Sequence, residues 1–284
     1  MGIRRRKYEE IFFKKLALLS SIFLVVILLV IVISIIIKAI PALSIEMISQ
    51  TPKGGFYLGG GGGILNAIVG SLYLAFGATL LAFLLGFPVV IYMNIYANPN
   101  SRFVNLLRLV LDILWGIPSI VYGVFGFVIM IFLGIKASLL GGILIVALFI
   151  LPVIIRSIDE LILMIPRGLT DAAYSLGSTK FETAFKVVIR QVSSGIVTAL
   201  LIAFGRAIGD AAAVLFTTGY TDNIPTSLSQ PTATLPLAIF FQLGSPIEAV
   251  QQRAYASAFV LTVIILLISV ITRVSARKYK KFKV

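Results

Sequence analysis

The amino-acid sequence predicts an all-α integral membrane protein with six transmembrane helices and both chain ends in the cytoplasm. Hydrophobic residues make up 59% of the 284 residues and charged residues only 12%, whereas soluble domains average about 45–50% and about 25%. Apolar runs of roughly 20 residues, the length that crosses the hydrocarbon core of a bilayer, recur along the chain. Basic residues also concentrate in every second connecting segment, as they do in multi-pass membrane proteins.

Several classes of protein are excluded by what the sequence lacks. Cysteine and histidine are both absent, which excludes disulfides, thiolate or imidazole metal sites and histidine-based catalysis. The phosphate-binding pattern GxxxxGK followed by Ser or Thr does not occur either, so the chain is not expected to hydrolyse ATP. We therefore expect a protein that is not an enzyme and that holds no metal and no cofactor.

The first predicted span covers residues 16–37 and follows a basic start. Its apolar run is longer than the central region of a signal peptide, which has about 7–15 residues, and no small-residue cleavage site follows it. Residues 1–63 are therefore predicted to be a retained anchor helix followed by an outer loop.

Residues 64–276 form the predicted core, which contains the other five spans. These spans are predicted at about 64–97, 106–134, 137–155, 192–219 and 254–271. The first of them is interpreted as one helix that is bent or broken near Gly86 and Pro88, because proline removes a backbone hydrogen bond. The second of them, at 106–134, also contains a proline, Pro118. A basic cytoplasmic tail is predicted at 277–284.

The net charge of +13 is explained by the sidedness of the basic residues. Nineteen of the 24 lysines and arginines fall in segments predicted to face the cytoplasm, which supports six spans with both ends inside. Contact with anionic membrane lipids accounts for this charge, so nucleic-acid binding is not expected.

The cytoplasmic segment 156–191, between the fourth and fifth spans, predicts two short helices at an angle. Thr170 is interpreted as the cap of the first helix, and Gly177 as the glycine that ends it. Thr179 and Glu182 match a capping box at the start of the second.

The second of these short helices carries one predicted apolar stripe. Phe181, Ala184, Phe185 and Val188 recur at helical spacing. Such a stripe fits a helix resting on the lipid surface and equally a helix docked in the groove of a cytosolic partner.

Two ionisable residues, Arg206 and Asp210, lie inside the fifth predicted span. Because they are four residues apart, we expect them on one helix face, either as a structural ion pair or as part of an anion pathway. Arg108 and Asp112 have the same spacing near the inner end of the third span and are interpreted as a structural pair. Four residues in or near the spans carry hydroxyl groups that could donate hydrogen bonds to a substrate or serve only in helix packing. They are Ser119, Tyr122, Thr217 and Thr218.

The cytoplasmic segment resembles the EAA loop of ABC importer permeases. The resemblance is carried by Asp171-Ala172-Ala173-Tyr174-Ser175-Leu176-Gly177 and by Val187-Val188-Ile189. The spacing matches throughout, although Asp171 replaces glutamate, Ile189 replaces leucine and Arg190 replaces proline. The resemblance implies that this loop couples the membrane helices to an ATPase, with Asp171, Ala172, Ala173, Gly177, Phe181 and Phe185 at the contact.

Further motifs are similar to those of phosphate importer permeases. They include Gly70-Ser71-Leu72, Leu85-Gly86-Phe87-Pro88, Trp115-Gly116-Ile117-Pro118-Ser119 and Leu151-Pro152-Val153-Ile154-Ile155-Arg156. Ala233-Thr234-Leu235-Pro236-Leu237 favours the A-type subunit of such importers. The resemblance implies that Arg206 and Asp210 are substrate-pathway residues, with Asp210 in place of the family's glutamate.

The same resemblance implies the location and partners of the chain. We expect a multi-pass protein of the cell membrane that works with an ABC ATPase dimer, a second related permease subunit and an extracytoplasmic phosphate-binding protein. Two alternatives stay open: a permease of the same architecture for molybdate or sulfate, and a membrane scaffold that transports nothing.

Overall fold

The computed structural model describes residues 2–54, 60–98 and 101–279, and the side chains of residues 9–274 within these ranges. Apart from one isolated bridge between Pro52 and Gly62, the regular structure in these ranges is helical, which confirms the all-α class that the sequence predicts. The helices are α1 (Gly2–Ala39), α2 (Ile45–Ser49), α3 (Leu65–Ile91), α4 (Arg102–Gly116), α5 (Ser119–Phe132), α6 (Leu139–Leu163), α7 (Arg167–Ser175), α8 (Lys180–Glu182), α9 (Ile189–Gly209), α10 (Leu235–Leu243) and α11 (Glu248–Tyr279). Residues 280–284 of the predicted basic tail lie outside the described part of the chain.

Five stretches of helix are long and apolar enough to cross a membrane, and a bent helix pair supplies a sixth. The five are Glu9–Ala42, Leu65–Tyr96, Leu139–Leu163, Lys180–Gly209 and Glu248–Val274. The sixth is the pair α4 and α5, which meet at 97°. The expectation of six spans therefore agrees with the structure when the bent pair is counted as one.

The span predicted at about 106–134 consists of two helices, because the chain breaks between α4 and α5. Ile117 has an extended conformation, with φ −73° and ψ 129°. This is the conformation that a following proline favours, since the ring of Pro118 crowds a preceding helical residue. In contrast, α3 continues without a break through Pro88.

Two other predicted helix ends are also wrong. The fourth span does not end at 155 but continues as α6 to Leu163, because Asp159 is buried against arginines instead of facing water. The fifth span does not extend to 219: α9 ends at Gly209, and residues 212–218 form turns. Asp210, the first residue after α9, is extended, with φ −80° and ψ 124°.

The predicted pair of Arg108 with Asp112 is also corrected by the structure. Arg108 pairs with Asp159 on α6, and Asp112 pairs with Arg156, also on α6. Both side chains of α4 therefore connect this helix to α6 and not to each other. A neighbouring helix supplies partners that a short-range spacing argument cannot include.

Helices α3, α6 and α9 form the centre of the core, while α1 lies on the outside against α11. Most of the apolar side chains of α1 are exposed, as lipid-facing side chains are. Near the start of α3, the beginning of α10 packs tightly on this helix: the Leu235 N–H donates to Ser71 Oγ at 2.8 Å. A Cβ atom added to Gly70 would lie 2.1 Å from the Ala233 carbonyl oxygen, so only glycine permits this contact.

Candidate functional site

Arg206 lies in the last turn of α9, half-buried against an aromatic ring of α6. Its guanidinium carbon is 4.9 Å from the centre of the Phe149 ring. A guanidinium over an aromatic face is stabilised by the negative potential of that face. This contact holds the charge of Arg206 inside the helix bundle without neutralising it.

Tyr122 of α5 contacts the same phenylalanine from another side. The Tyr122 and Phe149 rings meet edge to face, with centres 5.8 Å apart. The Tyr122 hydroxyl donates to the Leu114 carbonyl oxygen at 2.9 Å, which spans the bend between α4 and α5. Phe149 therefore joins the bent pair to the arginine of α9.

Asp210 does not share a helix face with Arg206, and the sequence prediction is wrong on this point. Because α9 ends at Gly209, the four-residue spacing is no longer helical. The Asp210 Oδ2 atom accepts a hydrogen bond from the Ala213 N–H at 2.8 Å, and the Ser119 side chain also interacts with this carboxylate. Asp210 thus caps the turn at 212–218, and no ion pair within 4.0 Å joins it to Arg206.

The same turn is in direct contact with α5. A Cβ atom added to Gly123 would lie 2.8 Å from the Ala212 carbonyl oxygen and 2.9 Å from that of Ala213. The backbone of α5 therefore lies directly on the segment that follows Asp210. A movement of α5 would displace this segment.

In the cytoplasmic segment, α7 begins one turn earlier than predicted. The helix starts at Arg167, directly after Pro166, and the Thr170 hydroxyl donates to the Arg167 carbonyl oxygen at 2.7 Å. Thr170 is therefore inside the helix and does not cap it. Proline suits the position before a helix because it has no N–H that would need a partner there.

Gly177 ends α7 as the sequence predicts. Its φ of 82° is in the left-handed region. The Gly177 N–H donates to the Tyr174 carbonyl oxygen at 2.9 Å, and the Ser178 N–H donates to that of Ala173 at 3.1 Å. These two bonds are the Schellman pattern, which satisfies carbonyl groups at a helix end.

The capping box at the start of α8 is also confirmed. The Thr179 side chain accepts from the Glu182 N–H, and the Glu182 carboxylate accepts from the Thr179 N–H. The helix then widens into a π-turn, Thr183–Val188, before α9 begins. The local sequence thus determines where α7 ends and where α8 begins.

The predicted apolar stripe is divided between an exposed and a buried part. Phe181 and Phe185 are exposed and their rings stack 4.6 Å apart, whereas Ala184 and Val188 are buried. The π-turn explains the division, because it interrupts the α-helical repeat on which the stripe was predicted. Leu176, at the tip between α7 and α8, is 87% exposed.

The coupling residues implied by the EAA resemblance lie together on this segment. Asp171 and Ala172 are exposed and Ala173 is buried, while Gly177 forms the turn beside Leu176. Between them the two short helices present apolar and polar side chains to the outside of the bundle.

A comparison with protein families matches residues 86–281 to the family described as binding-protein-dependent transport system inner membrane component. The match covers the bent pair, the cytoplasmic segment and the Arg206 site. The chain belongs to this family of membrane transport components.

Curated relatives of this family member cover most of its length. It is 32% identical over 241 residues to the phosphate transport system permease protein PstA of Haemophilus influenzae, an alignment that covers 84% of each chain. It is 33% identical over 248 residues to the PstA protein of Yersinia pestis, covering 87% of this chain and 83% of the relative.

Solved transporter structures share the fold of this family member. A chain of a bacterial alginate ABC transporter, solved in complex with an alginate pentasaccharide-bound periplasmic protein, matches with a TM-score of 0.67 at 14% identity and full coverage of both chains. A chain of the inward-facing MetNI methionine ABC transporter matches with a TM-score of 0.58 at 20% identity, covering 76% of this chain and 95% of the other.

Sequence reasoning on this transport component found some members of the site and missed one. Arg206, Ser119 and Tyr122 were candidates, and the structure brings them to one region. Phe149 was missed, because an aromatic residue within an apolar run carries no signal that distinguishes a cation contact from core packing. The hydroxyls of Thr217 and Thr218 are buried and donate to backbone oxygens four residues earlier, which favours the packing interpretation.

Proposed function

We propose that the chain is the transmembrane permease subunit of an ABC importer that moves inorganic phosphate into the cell. The observation that carries this proposal is the 32% and 33% identity, over more than four fifths of the chain, to relatives named as phosphate transport permeases. The half-buried guanidinium of Arg206, over the Phe149 ring, suits an anionic substrate.

Arg206 would bind phosphate oxygens as they pass the bend between α4 and α5. A guanidinium offers a planar fork of donors that matches two oxygens of an oxyanion, and such charge-assisted bonds are strong. Its position over Phe149 leaves these donors without a carboxylate partner within 4.0 Å among the described residues. Asp210 would act on the pathway through the turn that it caps.

Residues 171–185, which contain the coupling residues that the resemblance implies, would be the contact with a separate ABC ATPase dimer. Leu176 and Phe181 are apolar side chains at the tip of the cytoplasmic segment, with exposed fractions of 87% and 59%. Exposed apolar side chains on a short helix fit a hydrophobic groove on a partner. Closure of the ATPase would then move the cytoplasmic segment and the helices attached to it.

The proposed orientation places both chain ends in the cytoplasm. A second related permease subunit would complete the pathway, and an extracytoplasmic phosphate-binding protein would dock on loops 41–63 and 220–253. The chain has no cysteine, so the labelling of a single introduced cysteine shows directly on which side of the membrane that position lies. In intact cells, Lys53→Cys is expected to react with a membrane-impermeant maleimide and Lys186→Cys to be protected; the reverse pattern would contradict this orientation.

Uptake of labelled phosphate tests the proposed substrate. In cells that express the complete transporter, we expect a hundredfold excess of unlabelled phosphate to reduce labelled uptake at least tenfold, and the same excess of molybdate or sulfate to reduce it less than twofold. Stronger competition by molybdate or sulfate would favour the alternative oxyanion. Failure of any ATPase to co-purify with the chain would favour the scaffold alternative.

A further inference from the structure

A cluster of buried charges joins three helices on the cytoplasmic side of the Arg206 site. Its centre is Asp159 of α6, whose side chain is fully buried. Arg108 of α4 binds this carboxylate with two bonds, from Nε to Oδ2 at 2.9 Å and from Nη2 to Oδ1 at 3.0 Å. Arg156 donates from Nη1 to Oδ2 at 2.8 Å, and Asn94 donates from Nδ2 to Oδ1 at 2.8 Å. We call these four residues the Asp159 cluster.

Arg156 extends the cluster toward its exposed edge. Its Nε atom is 2.6 Å from Asp112 Oδ1, and its Nη2 atom is 3.7 Å from Glu160 Oε1. The Asp112 and Glu160 side chains are 51% and 62% exposed, in contrast to Asp159. Asp159 is therefore the acidic group of this set that has no contact with water.

A buried ion pair adds little to stability, since the loss of hydration offsets the attraction between its charges. Packing alone would be served as well by apolar residues of similar size. The bonds that a buried pair makes are nonetheless specific in direction, because a guanidinium and a carboxylate meet in one plane. The Asp159 cluster therefore fixes how α4 is oriented on α6.

The cluster is connected to the cytoplasmic segment through the end of α3. Asn94 lies in the π-turn Tyr92–Tyr96 that follows this helix. In the same turn, the Tyr96 carbonyl oxygen accepts from Lys180 Nζ at 3.3 Å. About two helical turns before Asn94, the Phe87 ring of α3 meets the Phe185 ring, with centres 6.4 Å apart. A displacement of the cytoplasmic segment would therefore act on the π-turn and on Asn94.

On its other side, the cluster is connected to the Arg206 site through the bent pair. Arg108 is on α4, and the Tyr122 hydroxyl joins α5 to the end of α4 through the Leu114 carbonyl. Gly123 of α5 packs directly against the backbone of Ala212 and Ala213, which follow Asp210. The contacts from Lys180 to Ala213 thus form one continuous series.

We propose that Asp159 is a positioning residue that makes the bent pair α4 and α5 move with α3 and α6 when the cytoplasmic segment is displaced. This inference rests on the proposed function, in which an ATPase displaces that segment. Without the Asp159 carboxylate, the Asp112–Arg156 pair at the exposed edge would still join α4 to α6, but the bonds that orient α4 from inside the bundle would be lost, and ATP would be hydrolysed without opening the Arg206 site. Spatial continuity alone does not establish coupling, so the test must measure coupling itself.

The first test compares Asp159→Asn with Glu160→Gln in the complete transporter reconstituted in vesicles. The two substitutions remove the same charge from adjacent positions of one helix, and both acids contact Arg156. We expect Asp159→Asn to lower the phosphate transported per ATP hydrolysed at least tenfold with assembly intact, and Glu160→Gln to leave this ratio within twofold of wild type. An unchanged ratio in Asp159→Asn would overturn the proposal, because a merely structural loss reduces both activities together.

A milder variant keeps the proposal testable if Asp159→Asn fails to assemble. Asn94→Ala removes the α3 connection and leaves both ion pairs of Asp159 in place. We expect it to assemble normally and to lower the ratio of phosphate to ATP about threefold. A ratio equal to that of wild type in this variant would contradict the connection through α3.

Distances between spin labels test the role of Asp159 independently of which substrate is transported. Labels on Val124→Cys of α5 and Leu163→Cys of α6, both exposed positions, report the movement of α5 relative to α6. In the complex with its ATPase, we expect ATP binding to leave this distance unchanged in the otherwise unchanged chain and in Glu160→Gln, because the bent pair moves with α6, and to shift it in Asp159→Asn, because α6 then moves without α5. An unchanged distance in Asp159→Asn would overturn the role of Asp159. Absence of phosphate uptake by the wild type, with this pattern of distances present, would instead count against phosphate.

Discussion

Replacing Arg206 with alanine is expected to abolish phosphate uptake, with a loss of at least about a hundredfold. The substitution removes the guanidinium that contacts the Phe149 ring at 4.9 Å and that would hold the substrate. Each hydrogen bond to a charged group contributes about 1.5–3 kcal/mol, so the loss of a two-bond fork costs about 3 kcal/mol or more. Uptake of labelled phosphate at a fixed amount of assembled transporter measures this effect.

Arg190→Ala is the matched control, because it makes the same substitution in the same helix. Arg190 is exposed in the first turn of α9, far along the helix from the aromatic contact, and its replacement is expected to leave uptake within about threefold. Arg206→Lys keeps the charge but not the fork and should retain an intermediate activity. Wild-type uptake by Arg206→Ala would reject the pathway role.

Replacing Gly177 with valine is expected to reduce uptake at least tenfold by disrupting the contact with the ATPase. At φ 82° a β-branched residue is strongly disfavoured, and the left-handed conformation costs about 1–2 kcal/mol for residues with a Cβ. The chain would leave the Schellman turn, which would displace Leu176 and the start of α8. Pull-down of the ATPase and phosphate uptake would both decline.

Gly168→Val provides the control within the same short helix. A Cβ atom at either glycine meets no atom within 4 Å, but only Gly177 of the two has a positive φ. Any difference between the variants therefore reports backbone conformation and not lack of space. We expect Gly168→Val to bind the ATPase as wild type does. Equal binding by both variants would contradict a requirement for this turn.

Features that depend on short segments were predicted correctly from the sequence. The capping box of Thr179 and Glu182 and the left-handed turn at Gly177 involve residues within four positions of each other. The number of spans follows from the number of apolar runs, since each run must by itself be long enough to cross the hydrocarbon core of the bilayer. These features are therefore contained in local sequence.

The candidate site was predicted only in part, because its contacts join distant segments. Arg206 was identified as the basic residue inside a span. Its partner Phe149 is 57 positions earlier in the chain, and nothing in the sequence indicates that α6 and α9 place the two together. Asp210 was identified too, but its contacts depend on α9 ending at Gly209.

The charged residues show most clearly what each level of structure determines. The sequence by itself determined that the protein is helical and membrane-spanning, because apolar runs and sided charges act on the membrane one segment at a time. Only the tertiary structure decided that Arg108 binds Asp159 and not Asp112. Inside the bundle there is little water to solvate a charge, so each ionised group takes the partner that packing brings within reach, whatever its distance along the chain.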